Sequence, residues 1–146
     1  MRKDVVIHIT GRPKYDGYED EEIELTTAGR LYRKNGKYFI IYKESELTGM
    51  EGATTTLKVE GDKVTLMRNG GNYASHMIFQ KGERHFGIYN TDMGSMTVAI
   101  SARDIKNNID DNGGELFIDY AIEVDNVLTG ENLFDVNIRE REPFLS

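Results

Sequence analysis

The sequence predicts an all-β protein, a single antiparallel up-and-down β-barrel of about 8–10 strands that forms one domain over residues 1–146. Apolar and polar residues alternate with a period of two along most of the chain, and stripes with the helical period are nearly absent. Turn signals commonly recur at intervals of about 8–12 residues, which leaves connections too short for parallel crossovers. The length of 146 residues suits one core.

The clearest strand begins at Glu22 and runs toward Leu31. Ile23, Leu25 and Leu31 share one phase, whereas the other phase carries three charged residues, Glu22, Glu24 and Arg30. One face of a half-buried strand is apolar and the other polar. We therefore expect the isoleucine and both leucines to be buried.

Asn35–Gly36 lies between two apolar alternations, and this dipeptide is a strong hairpin signal because both residues accept positive φ. Similar turn signals occur at residues 61–62, 69–72, 81–83 and 111–114. A closed barrel is favoured over an open sheet because closure removes exposed edges, and a sandwich is the alternative. One short helix is expected, at residues 101–108 or 127–131.

Composition narrows the classes of partner and site. The net charge of −7 repels nucleic acids and anionic membrane surfaces, so neither is an expected partner. The absence of cysteine removes disulfides, thiolate catalysis and cysteine metal sites, which fits a reducing cytoplasm. The apolar run Val5–Ile9 is too short for a signal peptide, so we expect a cytoplasmic protein.

Five segments resemble the YwiB-like proteins of Gram-positive bacteria, a family catalogued as a domain of unknown function. They are ELTGMEG at 46–52, TTTLKV at 54–59, VTLMRNG at 64–70, MIF at 77–79 and YNTDMG at 89–94. The last segment carries Asp92 where the family pattern has proline. The resemblance spans most of the chain and implies a calycin-like barrel, the class of lipocalins and fatty-acid-binding proteins. It implies no known activity and no catalytic residue.

Arg68 is the first candidate site residue because it shares the inward phase of Val64 and Leu66. A buried guanidinium needs a partner, since an unpaired buried charge is very costly. The sequence leaves two interpretations open: an internal ion pair with a carboxylate, or a clamp for an anionic group of a ligand.

Tyrosines in predicted strands form the second candidate set, with Tyr42, Tyr89 and Tyr120 as ligand-binding candidates. Ordinary packing is the competing interpretation, because core and cavity tyrosines look alike in sequence. His85 shares the phase of Tyr89 and completes the set. No histidine has a metal-ligand partner at a recognised spacing, so we predict no metal, no cofactor and no catalytic residue.

The leading hypothesis for function is non-catalytic binding of a small, partly apolar or anionic ligand inside the barrel. The first alternative is a protein-interaction module or homodimer that uses an outer sheet face, because the strand with Phe39 and Ile41 is apolar in both phases. The terminal Pro143, Phe144 and Leu145 could also cover that face. The second alternative is an enzyme acting on a small anionic substrate through Arg68.

Overall fold

The computed structural model describes residues 1–14, 22–45, 50–71, 73–91 and 94–141. The predictions for Asn72, for Asp92 and for the terminal residues 143–145, as well as part of the 46–52 resemblance, lie outside these ranges. Ten strands occur in the described part: β1 (Arg2–Pro13), β2 (Ile23–Lys34), β3 (Lys37–Lys43), β4 (Thr54–Glu60), β5 (Lys63–Gly70), β6 (Tyr73–Gln80), β7 (Arg84–Thr91), β8 (Gly94–Asp110), β9 (Gly113–Val124) and β10 (Val127–Glu140).

The strands form one closed antiparallel barrel. Each strand pairs with its neighbour in sequence, and β1 pairs with β10 to complete the ring. This topology confirms the predicted up-and-down barrel, at the upper end of the expected strand number, and excludes the sandwich. Among the ten described strands, closure leaves no unpaired edge.

The prediction of one short helix is wrong at both of its alternative positions, because residues 101–108 belong to β8 and residues 127–131 to β10. Each segment contains a register shift, between Ala102 and Asp104 in β8 and between Leu128 and Gly130 in β10. A bulge adds one residue and shifts the inward phase, so the two-residue period is interrupted. Within the described ranges, no helix is long and apolar enough to cross a membrane.

Turns alternate between the two ends of the barrel. The end that carries the β2–β3, β4–β5, β6–β7 and β8–β9 turns is called the lower end, and the opposite end, toward which β1 runs, is called the upper end. The predicted Asn35–Gly36 turn is present, with φ of 54° and 77° at its two central residues. Gly114, at the lower end, has φ of 127°, and a Cβ there would collide with the carbonyl oxygen of Asn108. Only glycine fits this close approach of two strands.

The lower half of the barrel is filled with aliphatic side chains. We call these seven residues, each at most 2% exposed, the lower core: Val5, Ile7, Leu31, Val59, Val64, Leu116 and Ile138. They come from six different strands, β1, β2, β4, β5, β9 and β10. Interlocking aliphatic side chains at this burial make a packed interior rather than a cavity.

Ile23 departs from the sequence prediction. Leu25 and Leu31 are buried as expected, but Ile23 is 61% exposed. It is the first residue of β2, at the upper end, so its inward phase points to the mouth of the barrel rather than to the core. Phase alone does not report the depth of a position along the barrel axis.

Candidate functional site

A row of polar residues crosses the inner face of five consecutive strands near the upper end. Strand register aligns each member with the next, from β3 to β7. We call this set the polar row: Tyr42, Thr55, Arg68, Ser75 and Tyr89. One side-chain position deeper, the aligned residues are apolar: Ile40, Leu57, Leu66 and Met77. The interior therefore changes from polar to apolar within one step along the strands.

Arg68, at the centre of the polar row, is 8% exposed and points inward as its phase predicts. Its Nε donates a hydrogen bond to Thr55 Oγ1 at 2.9 Å, and its Nη2 lies 3.4 Å from Glu44 Oε1. Thr55 in turn donates to the same Glu44 oxygen at 2.6 Å. The internal ion pair that the sequence left open is present, so the guanidinium is held in place by two buried partners.

Sequence reasoning missed both partners of Arg68. Glu44 directly follows β3, in the inward phase of Ile40 and Tyr42, and it is 6% exposed. This inward phase was the signal in the sequence from which Glu44 could have been predicted as a partner of Arg68. Thr55 is fully buried, but threonine is common on both faces of strands, so its direction carries little information in the sequence.

Tyr42 and Tyr120 stand beside the guanidinium as neutral phenols. Burial raises the pKa of Tyr42, and the neighbouring Glu44 raises it further against the opposing effect of Arg68. Burial also raises the pKa of Tyr120, where Arg68 acts in the opposite direction and Tyr89 adds a smaller upward contribution. Both hydroxyls therefore keep their protons well above neutral pH.

One cavity in the upper half is lined by Arg68 and by all three tyrosines that were predicted as site residues. We call this cavity the inner chamber. Its volume is about 210 Å³. Its polar lining residues are Tyr42, Arg68, Tyr89 and Tyr120. The remaining lining is apolar: Leu57, Leu66, Met77, Phe79, Ile118, Ile122 and Phe134. The Tyr120 ring is fixed edge-on against Phe79, with centroids 5.0 Å apart.

A second cavity of about 420 Å³, the vestibule, lies between the inner chamber and the mouth of the barrel. Four residues border both cavities: Tyr42, Arg68, Tyr120 and Phe134. The other vestibule residues come mainly from the upper parts of β1, β2 and β10, and they include Arg12, Ile23 and Leu133. Arg68 therefore borders both the inner chamber and the vestibule.

His85 lies apart from the other four predicted site residues. It is the second residue of β7, close to the lower end, and its Nε2 lies 2.9 Å from Gln80 Oε1. It lines neither the inner chamber nor the vestibule. The shared phase of His85 and Tyr89 correctly indicated that both lie on the same face of β7. The two residues are four positions apart, however, which places them at different depths along the barrel axis.

A wider depression of about 540 Å³ lies on the outer face of the barrel and is lined by residues of mixed charge, among them His8, Lys106 and Asp135. None of the predicted site residues contributes to it. In the described part of the chain, no group of three or more histidine, aspartate or glutamate residues is placed to hold a metal ion. The candidate site is therefore the inner chamber together with the polar row, three of whose residues line the chamber.

Comparisons with known proteins agree with this architecture. The family model described as "Domain of unknown function (DUF1934)" matches residues 7–136. The chain is 27% identical over 120 residues to the "Uncharacterized beta-barrel protein YwiB" of Bacillus subtilis (strain 168), with 82% of each protein covered. The crystal structure of the ywiB protein from Bacillus subtilis superimposes with a TM-score of 0.79 at 20% identity, covering 97% of this chain and 94% of that one.

The structural likeness supports the fold, and the family model extends over most of the sequence, including the polar row. The chain thus belongs to the DUF1934 family, whose function is unknown.

Proposed function

We propose that this protein binds a small, partly apolar ligand in the inner chamber without transforming it. The observation that carries the proposal is the chamber itself, about 210 Å³, with one fixed guanidinium and three tyrosines among apolar side chains. Small-molecule sites typically combine mainly apolar walls with a few polar groups that set orientation. The cytoplasm is the location that the sequence favours.

The arrangement supports a ligand with two chemically different parts. Leu66, Met77 and Ile122 offer an apolar wall to the body of the ligand. Arg68 and Tyr120 stand at the border with the vestibule and would receive its polar group, whether neutral or anionic. A guanidinium and phenols donate hydrogen bonds well but are poor nucleophiles, which favours binding over chemistry.

Native mass spectrometry of freshly purified protein tests the proposal. We expect a retained small-molecule adduct or, for protein that has lost it, saturable binding of the neutral fluorophore 1-anilinonaphthalene. Ile122→Phe fills the chamber and should abolish both signals. Ile78→Phe, the same change on the outer phase of β6, should preserve them. Wild-type protein with neither adduct nor fluorophore binding would disprove the proposal.

Protein interaction through an outer face is the second candidate. Phe39, which suggested it, is half-buried and stacks on Tyr32 of the neighbouring strand with centroids 4.8 Å apart. Exposed apolar area lies instead on β7, where Phe86 is 65% and Ile88 56% exposed. A dimer mass in the same spectra, lost on Phe86→Ser with Ile88→Ser, would support this candidate.

A further inference from the structure

We infer that the inner chamber selects a ligand whose polar group is an uncharged hydrogen-bond acceptor, such as an amide or ketone carbonyl, over a carboxylate or phosphate. This inference rests on the proposed function, because it names the chemical class of ligand for the same chamber. It bears on the two interpretations of Arg68 that the sequence left open, an internal ion pair and a clamp for an anionic group. The selectivity arises from the charge balance around Arg68.

The positive charge of Arg68 is already matched by Glu44. Their side chains are 9% and 2% exposed, and the two charged groups lie 3.4 Å apart. The pair is therefore neutral as a unit within a weakly screened interior. A carboxylate that reached Arg68 would create two negative charges around one positive charge, and an uncompensated buried charge is strongly unfavourable. A carbonyl adds no charge and escapes this penalty.

The remaining polar groups of the chamber can bind the same ligand. Tyr42 and Tyr120 keep their hydroxyl protons, since burial raises the pKa of each. The Tyr42 hydroxyl hydrogen-bonds Glu44, whereas the Tyr120 side chain and the guanidinium lie at the border of chamber and vestibule, where both can donate to a ligand. A carbonyl oxygen has two lone pairs and can accept from two such donors.

The vestibule does not change this balance. Its other cation, Arg12, is exposed at the mouth, so solvent screens any attraction between it and an anion. The net charge of −7 also repels anions at long range. The charge of a ligand therefore matters most for the group that reaches Arg68, because this side chain is only 8% exposed and solvent screens it little.

A matched pair of competitors tests the inference on the wild-type protein. Octanamide and octanoate have the same chain and similar size, and each would displace 1-anilinonaphthalene from the chamber near neutral pH. We expect octanamide to compete at least about tenfold more strongly than octanoate. Octanoate equal to or stronger than octanamide would overturn the inference and leave the proposed function standing. Failure of the fluorophore itself to bind would count against the proposed function.

Glu44→Gln tests the cause of the selectivity. It removes the matching charge, so octanoate affinity should rise by about tenfold or more. Glu83→Gln, at an exposed position in the lower β6–β7 turn, changes the net charge equally and should leave the ratio unchanged. In the double variant Glu44→Gln/Arg68→Met the gain should vanish. A folded Glu44→Gln protein with an unchanged ratio would refute the inference, and if this variant does not fold, the wild-type ratio decides.

Discussion

The lower and upper halves of the barrel consist of the same strands but have opposite interiors. Along β5, Val64 belongs to the lower core, Leu66 lines the chamber, and Arg68 belongs to the polar row. Along β9, Leu116 and Ile118 precede Tyr120 in the same order. The lower half carries the packing that stabilises the ring, and the upper half holds an open volume beside a buried ion pair. Stability and binding are thus separated along the barrel axis, not between different elements.

The largest expected effect is in the upper half. Arg68→Met leaves the buried Glu44 carboxylate without its cation, which should lower the free energy of unfolding by about 3–5 kcal/mol. Denaturant unfolding would measure it. The double variant Glu44→Gln/Arg68→Met should recover most of the loss, because neither charge is left unpaired. Arg30→Met, an exposed control on β2, should change stability by less than about 0.5 kcal/mol.

The next effect tests the lower core. Leu116 is 1% exposed, and Leu116→Ala should cost about 3 kcal/mol because the lower core has no room to collapse around the missing atoms. Val127→Ala removes apolar atoms at a position that is 65% exposed and should be nearly neutral. Unfolding curves for both variants would check the contrast. Equal losses at the two positions would contradict the assignment of a packed lower half.

A third comparison introduces the same larger side chain into each half. Ile138→Phe overfills the lower core and should destabilise the protein by about 1–3 kcal/mol. Ile122→Phe projects into the inner chamber, where space is available, and should cost less than about 1 kcal/mol. Thermal unfolding of the two variants side by side gives the difference. If Ile122→Phe is the more damaging change, the chamber is not open.

The smallest effect lies at the lower rim. Tyr38 donates a hydrogen bond to Asp111 Oδ1 at 2.6 Å, and this bond, assisted by Arg33, lowers the pKa of the Asp111 carboxyl below its ordinary 3.8. A lowered carboxyl pKa contributes stability that is present above the ordinary value and is lost as the pH falls through the folded pKa. Tyr38→Phe should raise the Asp111 pKa toward 3.8 in an NMR titration. An unchanged pKa would show that the bond is not formed in solution.

Alternation and turn signals in the sequence were sufficient to predict much of the fold. Alternation predicted the strands, Asn35–Gly36 predicted its hairpin, and the inward direction of Arg68 followed from the phase of Val64 and Leu66. Alternation failed where a bulge interrupts the period, at Ala102–Asp104, and where an inward residue such as Ile23 lies at the rim. The two failures have different causes: a bulge shifts the inward phase itself, whereas at Ile23 the phase indicates the face that the residue occupies but not its depth along the barrel.

Alternation and turn signals by themselves therefore determined that this chain forms antiparallel strands and which face most of them turn inward, because both depend on residues close together in the sequence. The tertiary structure decided between the barrel and the sandwich, because closure depends on pairing between the first and last strands. Only the tertiary structure decided what meets inside. Register between strands distant in sequence brings Tyr42, Arg68 and Tyr89 into one row and leaves His85 near the other end. Register results from pairing around the whole ring, so the chamber, which is lined by residues from β3 to β7, β9 and β10, exists only once the barrel is closed.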